Sequence, residues 1–187
     1  LAPQIAAVVE LRGATRLLDV GGGSGTYTLA FLAASPQLRA TLFDLPDVID
    51  LARERCAAAG VDQRVTFAAG DFYTDELPGG HDLALLSAII HQNSPEQNVA
   101  LYRKIWRALV PGGRLIVRDH IMNPERTSPR AGAIFAVNML TGTAGGTVYT
   151  LEECRRDLAA AGFGNVRLLQ SGDARMNGLV EARRPTA

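Results

Sequence analysis

The chain has little of what would assign a protein at a glance. Only two cysteines occur in its 187 residues. Cys56 and Cys154 lie far apart and without metal-ligand spacing, which argues against a disulfide framework or a zinc site and for free thiols in a reducing compartment. Neither sign of charge is in excess: 19 basic and 19 acidic side chains cancel to a formal net charge of zero. A nucleic-acid partner or an acidic membrane surface is therefore not expected. No apolar run approaches the ~20 residues that span a bilayer, and no signal-peptide pattern opens the chain, so a cytoplasmic location is expected. Internal repeats and low-complexity segments are lacking too. What is present is ordinary for a soluble globular protein: an apolar fraction of 47% and enough length for one domain with a substantial core. The first residue is Leu1 rather than an initiator methionine, and the expectation is a domain taken from a longer polypeptide.

Against this background one stretch stands out. Leu17-Leu18-Asp19-Val20-Gly21-Gly22-Gly23-Ser24-Gly25-Thr26 joins the end of an apolar run to the start of a helical pattern. Glycines at a strand-to-helix turn let the backbone approach a ligand closely, because no Cβ intervenes. The spacing is D-x-G-x-G-x-G and not the dinucleotide pattern G-x-G-x-x-G, whose last glycine would fall on Thr26 or Thr28. A dinucleotide brings a pyrophosphate that wants helix N–H groups. S-adenosylmethionine brings a zwitterionic amino acid, a sulfonium and a nucleoside, and an acid just before the glycines can accept from its ammonium. Asp19 occupies that place. A tight turn with no ligand is the plainer alternative.

Apolar runs alternate with amphipathic stretches along the chain, which predicts a parallel sheet with helices on both faces. Helical pattern runs over Gln4–Glu10, strands are expected at Arg16–Gly21, Ala40–Leu45, Arg64–Ala69, His81–Ile89 and Arg114–Val117, and helices over Thr26–Ala34 and Pro46–Ala59. Ser94, with Pro95 at the first helical position and Gln97 three residues after the cap, starts a helix that runs to about Val110 and stops at Pro111-Gly112-Gly113. Ala131–Leu140 reads as helix, and Thr150 caps another through Leu151–Ala161. Val166–Gln170 and Leu179–Arg183 close the chain as an antiparallel strand pair. The expected fold is a Rossmann-like, doubly wound, seven-stranded α/β sheet, mostly parallel. Ligands of such sheets sit outside the carboxyl ends of the strands, near the point where strand order reverses.

The candidate polar residues all fall at those ends. Asp44 ends the second expected strand, where a carboxylate can accept both ribose hydroxyls; alternatively it favours the dipole of the next helix. Asp71 follows the third strand, where it can accept from the exocyclic amine of adenine while Phe72 packs on the base; alternatively it is a loop Asp in a turn. His81 reads as an ordinary surface residue.

With these residues in place, the chain resembles the class I S-adenosylmethionine-dependent methyltransferases. More narrowly, it is similar to the catalytic domain of the caffeic-acid-type and acetylserotonin-type O-methyltransferases and their bacterial relatives in antibiotic tailoring. The resemblance rests on LLDVGGGSGTYTLAFL, TLFDLPDVI, GDFYTDELPGGHD and LLSAIIHQNSPEQNVALYRKIWRALVPGGRLIVRD and covers essentially the whole chain. It implies that residues 1–187 form the cofactor-binding catalytic domain, and that a helical, winged-helix-like N-terminal domain belongs to the full protein, joining two subunits into a homodimer and closing part of the acceptor pocket. It places the methionine moiety on Gly21, Gly22, Gly23 and Gly25, the ribose on Asp44 beside Leu45, and the adenine on Asp71 and Phe72. A lysine of plant members aligns with Ser87, kept here as a cofactor-binding candidate.

Methyl transfer from a sulfonium is an in-line displacement in which the enzyme chiefly supplies orientation and a deprotonated acceptor. A phenol with a pKa near ~10 needs a base beside it at neutral pH, and histidine suits that work. The resemblance places the general base on His91, where family members read His-Asp-Trp and this chain reads His91-Gln92-Asn93. A loop histidine bridging backbone near the Ser94 helix start is the alternative. Asp119 aligns with a Glu that steadies the catalytic His, the alternative being an ion pair with Arg118. A second family Glu aligns with Val148, so the two-acid arrangement is incomplete. Met139 aligns with a methionine that packs on an aromatic acceptor, though a methionine there also suits plain core, and His120 is expected to line the same pocket. His91 and His120 show no spacing that demands a metal. The leading expectation is transfer of a methyl group from S-adenosylmethionine, released as S-adenosylhomocysteine, to a hydroxyl of a small aromatic or polyketide-like molecule. A carbon or nitrogen acceptor and a non-catalytic nucleotide-binding module stand as alternatives; a nicotinamide-dependent dehydrogenase is disfavoured by the glycine spacing.

Overall fold

Short runs of buried apolar residues form the strands, and the computed structural model describes residues 1–173 and 175–186. Helix α1 (Ala2–Val8) leads into β1 (Arg16–Val20), α2 (Thr26–Ala34), β2 (Arg39–Asp44), α3 (Pro46–Ala58), β3 (Val65–Ala69) and β4 (His81–Ser87). Then follow α4 (Pro95–Ala108), β5 (Leu109–Asp119), β6 (Ile121–Met122), α5 (Arg130–Gly142), β7 (Tyr149–Thr150), α6 (Leu151–Ala160), β8 (Gly164–Gln170) and β9 (Gly178–Arg183). Every residue of β1 after Arg16 is buried, as a strand covered on both faces requires. Ser94 and Thr150 both cap as expected: each hydroxyl accepts from the backbone N–H three residues on, and Gln97 and Glu153 reach back to the cap N–H at 2.8 and 2.9 Å.

The seven-stranded sheet has the order β3-β2-β1-β4-β5-β9-β8. Strands β1 to β5 pair in parallel, and β9 runs antiparallel between β5 and β8. Alternation along the strands sorts side chains between two cores. Leu17, Leu85 and Ile116 join Ile5 of α1 and Phe31 of α2, while Leu18, Leu86 and Val117 join Tyr102 of α4 and Leu158 of α6. The chain winds outward from β1 to β3 and then crosses back to β4 beside β1, so the order reverses at β1/β4 and the crevice opens above those ends. No described helix is long and apolar enough to cross a membrane.

The structure corrects the expected boundaries in physical terms. Strand β4 stops at Ser87 rather than Ile89, because Ala88 adopts a positive φ of 60° and turns the chain into a 3-10 turn over Ile90–Gln92. Pro111-Gly112-Gly113, expected to separate α4 from the next strand, lies inside β5, where Gly112 and Gly113 exchange backbone hydrogen bonds with Arg184 at 3.0 and 2.8 Å. The short parallel pair β6–β7 was not expected. His81 is buried rather than superficial, with Nε2 3.0 Å from Thr41 Oγ1.

A buried charge group ties β9 into the sheet. Glu181, 1% exposed, accepts from Arg114 at 3.2 Å and Arg167 at 3.0 Å. Glu181→Ala is expected to destabilise the domain by about 3–5 kcal/mol, because Arg114 would be left buried and unpaired. Thr150→Ala, which removes one cap, is expected to cost only ~1 kcal/mol. Urea unfolding of the two variants checks both values and their order.

Candidate active site

The glycine turn is shaped by β2 as much as by its own sequence. Gly21 N–H donates to the Phe43 carbonyl at 2.8 Å, and Gly23 N–H donates to Asp44 Oδ2 at 2.7 Å. Gly21 has a φ of 67°, and a Cβ there would lie 2.9 Å from Ile89 Cδ1 and 3.4 Å from Phe72 Cε1. At Gly22 a Cβ would meet Leu42 Cγ at 2.6 Å. Position 21 therefore favours glycine for its conformation, and position 22 for room. Arg55 of α3 donates to Ser24 Oγ and Thr26 Oγ1 and fixes the turn from outside.

Beside this turn lies a hollow of about 220 Å³ lined by Asp19, Gly21–Ser24, Thr26, Tyr27, Ser87, Ala88 and Arg118. Asp19 is 1% exposed, and Thr28 Oγ1 donates to its Oδ2 at 2.6 Å. Burial pushes its carboxyl up to about 6; the Thr28 hydrogen bonds pull the other way, and the Asp44 charge adds to the rise. A carboxylate held so far from water is a ready partner for a ligand cation. Asp44 serves the plainer role: Leu45 N–H, at the start of α3, donates to its Oδ1 at 2.7 Å. Leu45 itself is exposed on the rim. Asp71 likewise sits in a turn, where its Oδ1 accepts from Tyr73 N–H at 2.8 Å. Of the acids expected on three strand tips, Asp19 lines the hollow and Asp44 bonds the turn, while Phe72, next to Asp71 in sequence, packs over Gly21. A larger hollow of about 460 Å³ lies elsewhere, between the β6–α5 loop and α6, and none of the candidate residues lines it. Size does not locate this site.

The second group of candidates meets on the other side of β5. His91 Nδ1 lies 2.9 Å from Asp119 Oδ2 and 3.1 Å from Oδ1. A carboxylate can only accept, so Nδ1 carries a proton, and in the neutral ring the lone pair is on Nε2. Asp119, wholly buried, also accepts from the His120 N–H at 2.8 Å. The shorter acid reaches His91 directly, and no ion pair with Arg118 forms among the described residues: Arg118 leaves the opposite face of β5 and donates to Ser87 Oγ at 2.7 Å. His120 is buried with Nδ1 unbonded, and burial lowers its pKa.

Three features of the two sides escaped the sequence. Phe135 of α5 stands edge-on to His91, ring centroids 4.8 Å apart, and 5.4 Å from the ring of His120. Met139 follows one turn later on the same helix and so shares that face. Asn93, where the family reads Trp, is fully buried and holds the His91 loop: it accepts from Tyr73 and Tyr149 and donates to Asn98, which in turn donates to the Ile90 carbonyl. Arg118 was weighed only as a partner for Asp119; the register Ser87↔Arg118 puts it in the cofactor-side hollow instead. Val148, aligned with the second family Glu, is buried.

Residues 2–164 match the model of the O-methyltransferase domain family. The chain belongs to that family. It is similar to a 3-hydroxy-5-methyl-1-naphthoate 3-O-methyltransferase of Streptomyces sahachiroi, 39% identical over 96% of this chain and 52% of that protein. It is also similar to an L-tyrosine C(3)-methyltransferase of Streptomyces lavendulae, 34% identical over 83% of this chain and 43% of that protein. Among solved structures, an O-methyltransferase family 2 protein of Planctomyces limnophilus in complex with apigenin superimposes with a TM-score of 0.88 at 33% identity, covering 98% of this chain and 54% of that one. The chain thus spans about half the length of the curated relatives it matches.

For this O-methyltransferase-family domain, Asp19 offers a pH-dependent test. Its carboxyl rises from 3.8 to about 6 in the folded state. The folded form therefore holds the proton more tightly, and the stability so gained at low pH is lost as pH rises through 6. Above that the cost reaches about 3 kcal/mol. Asp19→Asn is expected to be more stable than the parent by up to about 3 kcal/mol near neutral pH, the gain shrinking towards zero below about pH 4. Denaturant titrations across that range decide it; a gain independent of pH is the contrary result.

Proposed function

We propose that the protein transfers the methyl group of S-adenosylmethionine to a hydroxyl of a small aromatic or polyketide-like molecule. The observation that carries the reading is the His91–Asp119 pair, bonded at 2.9 Å across the ends of β4 and β5 and next to the glycine-turn hollow. When bound, the cofactor supplies a methyl group already activated on a sulfonium. Asp19 would hold its ammonium, the Gly21–Gly25 turn its methionine chain, Asp44 its ribose, and Asp71 with Phe72 its adenine. The buried Asp19 and the close packing over Gly21 support that assignment.

The chain's own work is then to orient the acceptor and take its proton. Asp119 keeps the proton of His91 on Nδ1, so Nε2 is the basic nitrogen, and Asp119 steadies the imidazolium that forms when Nε2 accepts the acceptor's proton. The Phe135 and His120 rings beside His91, with Met139 one turn on, make a surface suited to a flat ring. The naphthoate and apigenin relatives support an aromatic acceptor.

Carbon is the second reading. A phenolate formed by His91 carries negative charge on its ortho carbons as well as on oxygen, so the same base serves either atom. Likeness to an L-tyrosine C(3)-methyltransferase and the valine at position 148 favour keeping it. Assembly as a homodimer through an N-terminal helical domain, which the family resemblance implies, is part of the proposal. Exposed Ile134, Val137 and Leu140 on α5 support burial of that helix in the whole protein. A cytoplasmic setting belongs to the proposal as well.

Incubating the full-length protein with label on the donor methyl and a panel of phenols, then locating the label by mass spectrometry, tests the reading. His91→Ala is expected to lower kcat about 10²–10⁴-fold while S-adenosylhomocysteine binding, measured by calorimetry, stays within a few-fold. Asp119→Asn is expected to lower kcat with the donor KM unchanged, because it loses hold of the tautomer rather than a cofactor contact. Full turnover in His91→Ala would remove the base from the scheme, and a wild-type protein that binds the donor but methylates nothing would make the chain a binding module.

A further inference from the structure

Arg118 is a buried cation without a counter-ion among the described residues. It is 6% exposed, yet it pairs with no carboxylate among the described residues. Arg114, four residues earlier on the same strand and buried to a similar degree, is neutralised by Glu181. A guanidinium withdrawn from water is unfavourable unless an anion joins it. At Arg114 the protein supplies that anion; at Arg118 it does not.

What the protein gives Arg118 is orientation. Nε donates to Ser87 Oγ at 2.7 Å, Nη1 donates to the Met176 carbonyl, and the guanidinium carbon stands 4.8 Å over the Tyr27 ring. These neighbours fix the plane of the group without cancelling its charge, and Nη2 donates to no protein group among the described residues. Ser87 and Arg118 are cross-strand partners, so their side chains leave one face of the sheet together. Asp19 leaves that same face: it pairs with Leu85, two residues before Ser87. The hollow beside the glycine turn is consequently lined by one carboxylate and one arginine with donors to spare. An α-amino acid has the complementary pattern, an ammonium for Asp19 and a carboxylate for the guanidinium fork, whose two N–H groups match two carboxylate oxygens.

We propose that Arg118 binds the α-carboxylate of the cofactor's amino-acid end, and that Ser87 and Tyr27 are positioning residues that hold its guanidinium for that contact. The assignment rests on the cofactor reading given above and adds to it the group that recognises the carboxylate. It also gives Ser87 a part: its hydroxyl serves the ligand through Arg118 rather than by direct contact.

The test compares two ligands by calorimetry on the full-length protein: S-adenosylhomocysteine and its decarboxylated analogue, which keeps the ammonium and lacks the carboxylate. The parent is expected to bind S-adenosylhomocysteine roughly 10- to 100-fold more tightly than the analogue. In Arg118→Gln that preference is expected to vanish, with the analogue's affinity nearly unchanged. Ser87→Ala is expected to lose several-fold for S-adenosylhomocysteine alone, whereas Asp19→Asn weakens both ligands, since both carry the ammonium. Arg118→Lys, which keeps the charge but not the fork, is expected to retain a reduced preference and serves where Arg118→Gln does not fold. Equal binding of both ligands by the parent overturns the proposal without any variant. So does a preference that survives at Arg118→Gln, or a loss there that is equal for both ligands. A parent that binds neither ligand is a different result: the cofactor reading itself then falls, and this proposal with it.

Discussion

Side chains alternate along β5, and the site depends on what that does to two neighbours. Arg118 and Asp119 are adjacent in sequence and opposite in charge, yet they do not pair with each other; the pleat sends them to opposite faces of the sheet. Arg118 enters the hollow beside the glycine turn, and Asp119 enters the pocket that holds His91. A slip of one residue in the β4–β5 register would exchange them and empty both arrangements. The register is secured by the depth of the strands in two apolar cores, so packing far from the crevice decides which charge meets which ligand.

Around that split the protein tolerates several local costs. Ala88 holds a φ of 60° without being glycine, Asp19 is a carboxylate sealed from water, and Arg118 is a cation with no carboxylate beside it among the described residues. Each is unfavourable in the ligand-free chain, and all three line the same hollow. Elsewhere several ordinary rules are met. Both capping boxes are complete, the buried Arg114 has its Glu181, and the His91 loop is tied down by the Asn93–Asn98–Tyr149 network. Two buried charges and one residue of positive φ thus share a single hollow.

Much of the fold was legible in the sequence because its signals are local. Helix α2 was read to the residue, and α3, α4 and α6 within one or two, since caps, proline at the first turn and terminal glycines act on their immediate neighbours. The strands were recognised as buried runs, but their ends depend on partners. β5 was read short because Pro111-Gly112-Gly113 has the composition of a turn, and only pairing with the segment after β9 makes it strand. His81 was read as exposed because nothing beside it in sequence reveals the cover supplied by Thr41 on β2. Among the candidates, Asp19, Asp44 and Asp71 were singled out from their places at strand ends, and His91 and Asp119 from the family resemblance. Phe135, Asn93 and Arg118 were not, because their contacts come from other elements: Phe135 meets His91, Asn93 meets Tyr73 and Arg118 meets Ser87, each pair 20 to 44 residues apart.

The sequence by itself determined the order of elements, the glycine turn, the helix caps and which acids stand at strand tips, because each of these follows from a residue and the few beside it. The tertiary structure alone decided that β9 slips between β5 and β8, that Asp119 meets His91 rather than Arg118, and that Arg118 shares a hollow with Asp19. Those outcomes depend on strand register and on which face a side chain takes, and both are set by long-range packing of the two cores.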